Sequence, residues 1–271
     1  MLSWPGLPVL VAPAAFEGAM RASAVAGAIG RGLERAGLVP PDLCPLAAGG
    51  AGTLEALLLG LGGETVGVQV DGRRAAFGLI DAGGAAVVEP LPGPSSYATG
   101  ELVCAAADAG AEVVLLAAGG ASPNDGGAGA LAAIAGHGGL GSARLVVLTE
   151  AGAPASELGE RLRSEHGAVL EPGAPWILDS LGFDARMRAA RAVVTGAGRL
   201  DERALAGGLV GEIGTRTRQA GVPLHAIVGH DALDGFGKRI IDLQVVLEAS
   251  DLAQVEAAAE QLGRALADGS A

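Results

Sequence analysis

The segment GGASPNDGGAGA at residues 119–130 carries the most promising polar pair of the chain, Asn124 and Asp125. An apolar run precedes it, and an alanine-rich stretch follows it. A strand, a glycine-dense loop and a helix in this order place backbone N–H groups at a helix start, where they can hold an anion. Asp125 could bind Mg²⁺ or accept a proton, and the ordinary alternative is that it caps the helix. The loop is therefore a candidate wall of an active site.

A second segment of the same kind, GAGRLD at residues 196–201, carries Arg199 and Asp201 behind a short apolar run. Arginine binds planar anions through two parallel hydrogen bonds, so this pair could clamp a phosphate, with the carboxylate orienting the guanidinium. The alternative is a local ion pair that closes the loop. Two such loops predict one site lined from two strand ends.

Strand-like and helix-like runs alternate along most of the chain, which predicts a mainly parallel sheet flanked by helices. Ligands of such sheets bind outside the carboxyl ends of the strands, where the glycine loops fall. The stretch 64–89 differs, because Asp71-Gly72 between two β-rich runs is a hairpin signal and predicts antiparallel strands. Helices are predicted at 53–61, 99–109, 127–135, 155–166, around 176–181 and at 209–220, and a strand at 38–45. The Thr53 hydroxyl is expected to cap the first of these helices, and His225 inside an apolar strand is expected to be satisfied or solvated.

Composition excludes several classes of function. The net charge is −12 and no run of Lys or Arg occurs, which argues against nucleic acid and anionic membrane partners. No segment is typical of a signal peptide or a membrane span. Cys44 and Cys104 fit no metal motif, so two free thiols in a reducing, cytoplasmic setting are expected.

Five segments, in order along nearly the whole chain, resemble the glycerate kinase family, whose bacterial members phosphorylate D-glycerate with ATP and Mg²⁺. PLAAGGAGTLEAL resembles the family's PMADGGEGT.EAL, and SSYATGELV resembles its TSYGTGELI. GGASPNDGGAGALAAIAG resembles GGSATNDGGAGMLQALG, and AVVTGAGRLD resembles VITGEGRLD. The opening VLVAPAAFEGAMRAS resembles IAPDSFKGSLSA. The chain is thus identified as a shortened and divergent member of that family.

The resemblance implies ATP and Mg²⁺ as cofactors, a small organic acid as substrate, and a set of site residues. The catalytic candidates are Asn124, Asp125, Arg199 and Asp201. The candidates for binding substrate or phosphate are Glu89, Tyr97, Thr99, Gly119, Gly120, Gly126, Gly127, Gly196 and Gly198. No metal ligand is assigned, and the oligomeric state is left open.

Several charged positions of the family are substituted. Its Asp, Ser and Lys in the first loop fall at Ala14, Ala15 and Glu17, and its Asp and Glu in the second fall at Ala48 and Ala51. Its later Glu and Lys fall on neutral residues, at Ala197 and Gly208. Two glycine-rich family segments have no counterpart between residues 150 and 172. Phosphoryl transfer depends on positioning and electrostatics, so these losses bear directly on activity.

The predicted fold is α/β, with a mainly parallel sheet flanked by helices and a smaller central portion that contains antiparallel strands. Residues 1–90 and 190–271 are expected to form the main domain, and residues 91–189 a trimmed central domain. The predicted function is ATP-dependent phosphorylation of glycerate or a related hydroxy acid. Two alternatives stay open: a non-catalytic paralogue that binds a metabolite or partner, and an enzyme repurposed on the same fold. Replacement metal ligands for a working kinase could come from Glu17, Asp231 or Asp234.

Overall fold

The chain forms two compact units, of which the first combines both chain ends. A computed structural model describes residues 6–16, 20–150 and 156–269. The units are Met1–Ala47 with Leu178–Ala271, and Ala48–Ile177.

The boundaries lie elsewhere than the expected division into 1–90 with 190–271 and 91–189. Residues 48–90 belong to the second unit. Strand pairing is the reason, because the three strands between residues 64 and 88 continue by hydrogen bonds into the sheet of that unit.

The sheet of the first unit is parallel throughout, which confirms the prediction from alternating strands and helices. Its strands are β1 (Val9–Pro13), β2 (Asp42–Leu43), β9 (Ala192–Leu200), β10 (Leu224–Asp231) and β11 (Leu243–Glu248), numbered in chain order. They lie in the order β11, β10, β9, β1, β2. β2 has two residues where eight were expected, because Pro40, Pro41 and Pro45 have no N–H to donate to a ladder.

Helices of the first unit pack on this sheet, and two of them approach each other closely. They are α1 (Ala22–Arg35), α7 (Phe183–Arg188), α8 (Leu209–Ala220), α9 (Gly235–Ile240) and α10 (Leu252–Asp268). Gly32 lies at the crossing of α1 and α10, where a Cβ would stand 2.3 Å from the carbonyl oxygen of Glu256 and 2.6 Å from Cβ of Ala259. The crossing therefore requires glycine at position 32.

His225 in β10 is fully buried, and its environment differs from the expected one. Within the described residues, neither ring nitrogen has a hydrogen-bond partner. Burial without a partner disfavours the charged imidazolium and lowers the pKa of His225 to about 4. The imidazole is therefore neutral at pH 7 and acts as a core side chain.

Acid is expected to destabilise the protein through His225. The unfolded chain binds this proton near pH 6.5 and the folded chain only near 4, so stability is lost as pH falls from 6.5 through 4. This difference between the pKa values of the unfolded and folded states corresponds to about 3 kcal/mol in the free energy of unfolding. We expect His225→Leu to remove this loss, measured by urea unfolding at pH 7 and pH 4.

His137→Gln is the matched control for that experiment, because His137 is exposed beside Asp108. It should keep the loss of stability in acid that is assigned to His225. Parallel stability profiles for the wild type and His225→Leu between pH 7 and 4 would show that His225 is not titrating in this range.

The second unit contains a mixed sheet whose antiparallel part is the predicted hairpin region. Its strands are β3 (Glu64–Val70), β4 (Arg73–Ile80), β5 (Ala85–Val88), β6 (Val113–Ala117), β7 (Arg144–Thr149) and β8 (Val169–Pro172), in that order across the sheet. β3, β4 and β5 pair antiparallel, and β5 to β8 pair parallel. Asp71 and Gly72 form the β3–β4 turn with φ of 46° and 71°, as an Asp-Gly hairpin requires.

Helices of the second unit begin close to where the sequence predicted. They are α2 (Thr53–Leu61), α3 (Tyr97–Asp108), α4 (Ala128–His137), α5 (Glu157–His166) and α6 (Gly173–Ser180), the last of which extends past residue 177. The predicted cap of α2 is wrong, because Thr53 Oγ1 is buried and has no partner among the described residues. Glu89 Oε1 instead accepts a hydrogen bond from the Leu54 N–H, 2.9 Å away, and so caps the helix from the end of β5.

Candidate functional site

Asp125 lies in the loop between β6 and α4, and its carboxylate joins two helix starts. Its Oδ2 accepts hydrogen bonds from Ser95 Oγ at 2.8 Å and from the Ser96 N–H at 2.8 Å. Ser96 Oγ at 3.1 Å and the Gly129 N–H at 3.1 Å complete the donors to this oxygen. Oδ1 accepts from the Gly127 N–H at 3.0 Å. The carboxylate thus connects the residues before α3 to the first turn of α4.

These donors fix the charge of Asp125. Partial burial opposes ionisation, but hydrogen bonds from Ser96, Ser95 and Gly127 outweigh it and hold the pKa of the carboxyl well below its usual range. A carboxylate with so low a pKa is a weak base, since an effective general base has a pKa near the working pH. The chemistry therefore favours an electrostatic role for Asp125 over proton abstraction.

Oδ1 of Asp125 is the carboxylate oxygen that could still take a cation. It has one described donor, which leaves lone-pair capacity that a hard cation such as Mg²⁺ could use. Among the described residues, no three His, Cys, Asp or Glu side chains converge as a metal cage. Mg²⁺ at phosphoryl-transfer sites commonly takes one or two carboxylates and completes its shell with phosphate and water, so the residues present fit such an ion.

Asn124, in contrast to the hydrogen-bonded Asp125, has no side-chain contacts of this kind among the described residues. Its side chain is exposed, and it has no hydrogen-bond partner within the part of the chain that the structure describes. The two adjacent residues therefore separate into a fixed carboxylate and a free amide.

Ser95 and Ser96 were not singled out in the sequence, yet they are the main partners of Asp125. Ser96 is 2% exposed, and its hydroxyl also accepts a hydrogen bond from the Ala130 N–H at 2.9 Å. Ser95 Oγ in turn accepts from the Tyr97 N–H at 3.1 Å. The available signal was the Ser-Ser pair shortly before the helix predicted from Thr99, because serine is a preferred residue at helix starts.

The glycine loops of this unit touch backbone to backbone. A Cβ on Gly50 would stand 2.2 Å from the carbonyl oxygen of Gly119, and the Gly119 N–H donates to Gly49 O at 2.9 Å. Gly120 and Gly126 have positive φ of 72° and 57°. These glycines allow the two loops to approach each other closely.

Gly127 and its neighbour Gly126 are constrained by α5. A Cβ on Gly127 would meet Leu158 Cα at 2.8 Å, and one on Gly126 would meet the Glu157 carboxylate at 2.5 Å. The loop before α4 is thus tightly enclosed, with one acidic side chain against it.

Thr99, Tyr97 and Glu89, three further candidates for binding substrate or phosphate, lie at helix starts of the second unit. Thr99 is buried in the first turn of α3, and its Oγ1 accepts from the Leu91 N–H at 3.0 Å. Tyr97 begins α3 and is 40% exposed. Glu89 caps α2, as described above. Thr99 and Glu89 therefore position backbone, while Tyr97 presents its ring to solvent.

A cavity of about 300 Å³ lies in the second unit between residues 90–93 and 121–123. Ser96, Thr99 and Leu158 complete the described lining. Ser96 is shared with the hydrogen-bond network of Asp125, so the cavity adjoins that network.

Arg199 and Asp201 lie at the carboxyl end of β9 in the first unit. Arg199 Nε is 3.4 Å from Asp201 Oδ2, which is the local ion pair named as an alternative above. Arg203, which the sequence did not single out, binds the same carboxylate more closely, with its N–H and its Nε each 3.1 Å from Oδ1. Hydrogen bonds from Arg203 outweigh partial burial and lower the pKa of Asp201.

The segment around Gly196 and Gly198 is extended, where the sequence predicted a loop. β9 continues to Leu200 because it pairs with β10, with Arg199 opposite His230. A Cβ on Gly196 would stand 2.8 Å from the carbonyl oxygen of Ile227. The carbonyl oxygen of Gly198 would lie 2.5 Å from a Cβ on Gly229, so both positions belong to close strand packing.

The named replacement ligands have other partners. Lys238, the single lysine of the chain, forms an ion pair with Asp231 in which both side chains are largely buried. Asp234 Oδ1 accepts from the Gly237 N–H at 2.6 Å and caps α9. Glu17 lies outside the described residues.

Comparison with known proteins decides the family. A family model described as the glycerate kinase family matches residues 9–138 and 144–268. The chain belongs to the glycerate kinase family. Glycerate kinase from Bacillus subtilis strain 168 is 33% identical over 211 residues, which are 67% of this chain and 48% of that protein. Glycerate 2-kinase from Escherichia coli K12 is 32% identical over 153 residues, 47% of this chain and 39% of that protein.

The chain therefore spans about half the length, or less, of these glycerate kinases. The crystal structure of a protein assigned as glycerate kinase 2 from Salmonella typhimurium LT2 has the same fold, with a TM-score of 0.78 at 21% identity. That alignment covers 97% of this chain and 99% of the other. Among the described residues, no helix has the length and apolar composition needed to cross a membrane.

Proposed function

We propose that this glycerate kinase family member transfers the γ-phosphoryl group of Mg-ATP to a hydroxyl of glycerate or a related small hydroxy acid. The observation that carries the proposal is the state of Asp125. Five donors hold its carboxylate ionised, and Oδ1 keeps capacity for a cation at the start of α4. Phosphoryl transfer needs positioned charge and metal more than a strong base, which is the chemistry that such a carboxylate supplies.

Asn124 fits the complementary role of a group that contacts substrate. Its amide can donate and accept hydrogen bonds, and no described residue forms a hydrogen bond with it. A free amide beside a fixed carboxylate is suited to orienting a phosphoryl oxygen or the acceptor hydroxyl.

The test measures turnover by the wild type and by one variant, Asn124→Ala. We expect the wild type to release ADP from Mg-ATP in the presence of D-glycerate, in an enzyme-coupled assay. Asn124→Ala should lower kcat about 100-fold, the typical effect of removing one transition-state hydrogen bond, while the unfolding temperature is unchanged. An equal kcat for both proteins would remove Asn124 from the reaction.

A second candidate function, metabolite binding without turnover, is favoured by the neutral residues Ala48, Ala51 and Ala197 at charged positions of the family. Engagement of Asp201 by Arg203 supports it as well. Binding of D-glycerate by calorimetry with no ADP release, across several hydroxy acids, would favour this candidate over the kinase.

A further inference from the structure

The cavity of the second unit has walls of small and apolar residues. Residues 90–93, Pro-Leu-Pro-Gly, form one wall, and residues 121–123, Ala-Ser-Pro, form the other. Two hydrogen bonds hold the first wall in place, because Thr99 Oγ1 accepts from the Leu91 N–H at 3.0 Å and Arg73 donates to Pro92 O at 2.7 Å. The cavity is thus formed by backbone that is fixed before any ligand arrives.

The lining disfavours a charged ligand in the interior. None of the described residues that line the cavity carries a charge. Taking a carboxylate or phosphate out of water without an ionic partner is strongly unfavourable. At about 300 Å³ the cavity is at the lower end of pockets that hold drug-sized ligands, and a three-carbon hydroxy acid would leave much of it empty. Size and chemistry both favour a neutral group as large as a heterocyclic base.

One hydroxyl of the lining is available to such a ligand. Ser96 Oγ and Thr99 Oγ1 are engaged by protein partners. Ser122 is exposed on the second wall, and its hydroxyl has no partner among the described residues. A lone hydroxyl in a mainly apolar cavity can give a directional contact to a ring nitrogen or an exocyclic amine.

We propose that this cavity binds the purine base of the nucleoside triphosphate. The inference rests on the proposed function, because it assigns the base end of the phosphoryl donor. Ser96 lines the cavity and donates to Asp125 at 3.1 Å, and Pro123 of the second wall directly precedes Asn124. A nucleotide with its base between the walls would therefore direct its phosphates toward Asn124 and the open oxygen of Asp125.

The experiment fills the cavity and compares ligands with and without the base. Calorimetry is done with Mg-ATP, adenosine and magnesium tripolyphosphate on the wild type, Ser122→Trp and Ser142→Trp. Ser142 is the matched control, an exposed loop serine of the same unit that lies outside this cavity. We expect Ser122→Trp to weaken Mg-ATP and adenosine binding at least about tenfold and to leave tripolyphosphate binding unchanged. Ser142→Trp should change none of the three.

The outcomes separate this inference from the proposed function. The base site would be overturned, and the kinase kept, by three results together. The wild type would turn over D-glycerate, it would bind Mg-ATP and tripolyphosphate equally well, and Ser122→Trp would leave the binding of both unchanged. Adenosine binding that is sensitive to Ser122→Trp, in a protein with no turnover on any hydroxy acid, would keep the site and overturn the kinase. The wild-type comparison of Mg-ATP with tripolyphosphate decides the matter even if Ser122→Trp does not fold.

Discussion

Asp125→Ala is expected to lower the free energy of unfolding by about 3 kcal/mol and to abolish phosphoryl transfer. The substitution leaves two serine hydroxyls and three backbone N–H groups without their acceptor. Hydrogen bonds to a charged group contribute about 1.5–3 kcal/mol each and do not add, because the donors regain water in part. Chemical denaturation at pH 7, together with the ADP-release assay, measures both effects.

The pH dependence of this effect follows from the depressed pKa of Asp125. A carboxyl with a lower pKa in the folded state contributes stability above its unfolded pKa, near 3.9, and loses it as pH falls through the folded value. The difference in the free energy of unfolding between the wild type and Asp125→Ala should therefore be constant from pH 7 to about 5 and become smaller only in stronger acid.

Asp108→Ala is the control for Asp125→Ala, because Asp108 is exposed and pairs with His137 at 3.1 Å. Its effect should stay within about 0.5 kcal/mol. Asp125→Asn is informative as well, because it keeps one acceptor oxygen but turns an amide NH₂ toward donors. An Asp125→Ala protein as stable as the wild type would show that the carboxylate does not join α3 to α4.

Gly50→Ala is expected to destabilise the protein by about 3 kcal/mol and to reduce turnover with it. Its Cβ would stand 2.2 Å from the carbonyl oxygen of Gly119, and backbone cannot move aside as a flexible side chain can. The loop that carries Asn124 would have to shift by a large part of an ångström, and misplacement of that size is costly at sites that work by positioning.

Gly119→Ala tests the same contact from the other side, since its Cβ would meet Gly49 C at 2.9 Å. The double variant should be less destabilised than the sum of the single ones, because either substitution already separates the loops. Gly136→Ala is the control, because Gly136 lies in α4 and an added Cβ would meet only open space. This substitution should be neutral or should stabilise the protein by about 1 kcal/mol. Equal unfolding midpoints for Gly50→Ala and Gly136→Ala would contradict the loop contact.

Local signals predicted much of the fold. α2 at Thr53–Leu61 and α8 at Leu209–Ala220 have the bounds that the sequence indicated, and Asp71-Gly72 located the hairpin. β8, α9 and β11 were not predicted. β11 is an edge strand with mixed burial, and its apolar residues Val245 to Leu247 lie between the polar residues Gln244 and Glu248, a pattern that a helix or a loop could also show.

The site was harder to predict because its contacts join distant residues. Asp125 could be chosen from its loop, but its partners Ser95 and Ser96 lie about 30 residues earlier. The cap of α2 comes from Glu89, 35 residues away from Leu54, and a local pattern favoured Thr53 instead. Whether the candidate residues act on a substrate stays a prediction.

The ion pair of Lys238 with Asp231 gives the chain an unusual chemical handle. Because no other lysine occurs, reagents that acylate side-chain amines have a single target, and that target is largely buried in its ion pair. The Lys238 side chain keeps 27% of its surface exposed, so the rate of its modification reports how strongly the ion pair with Asp231 protects the amine. An unblocked α-amino group reacts as well, so the adduct on the peptide that contains Lys238 is the one to follow over time, and it needs no engineered label.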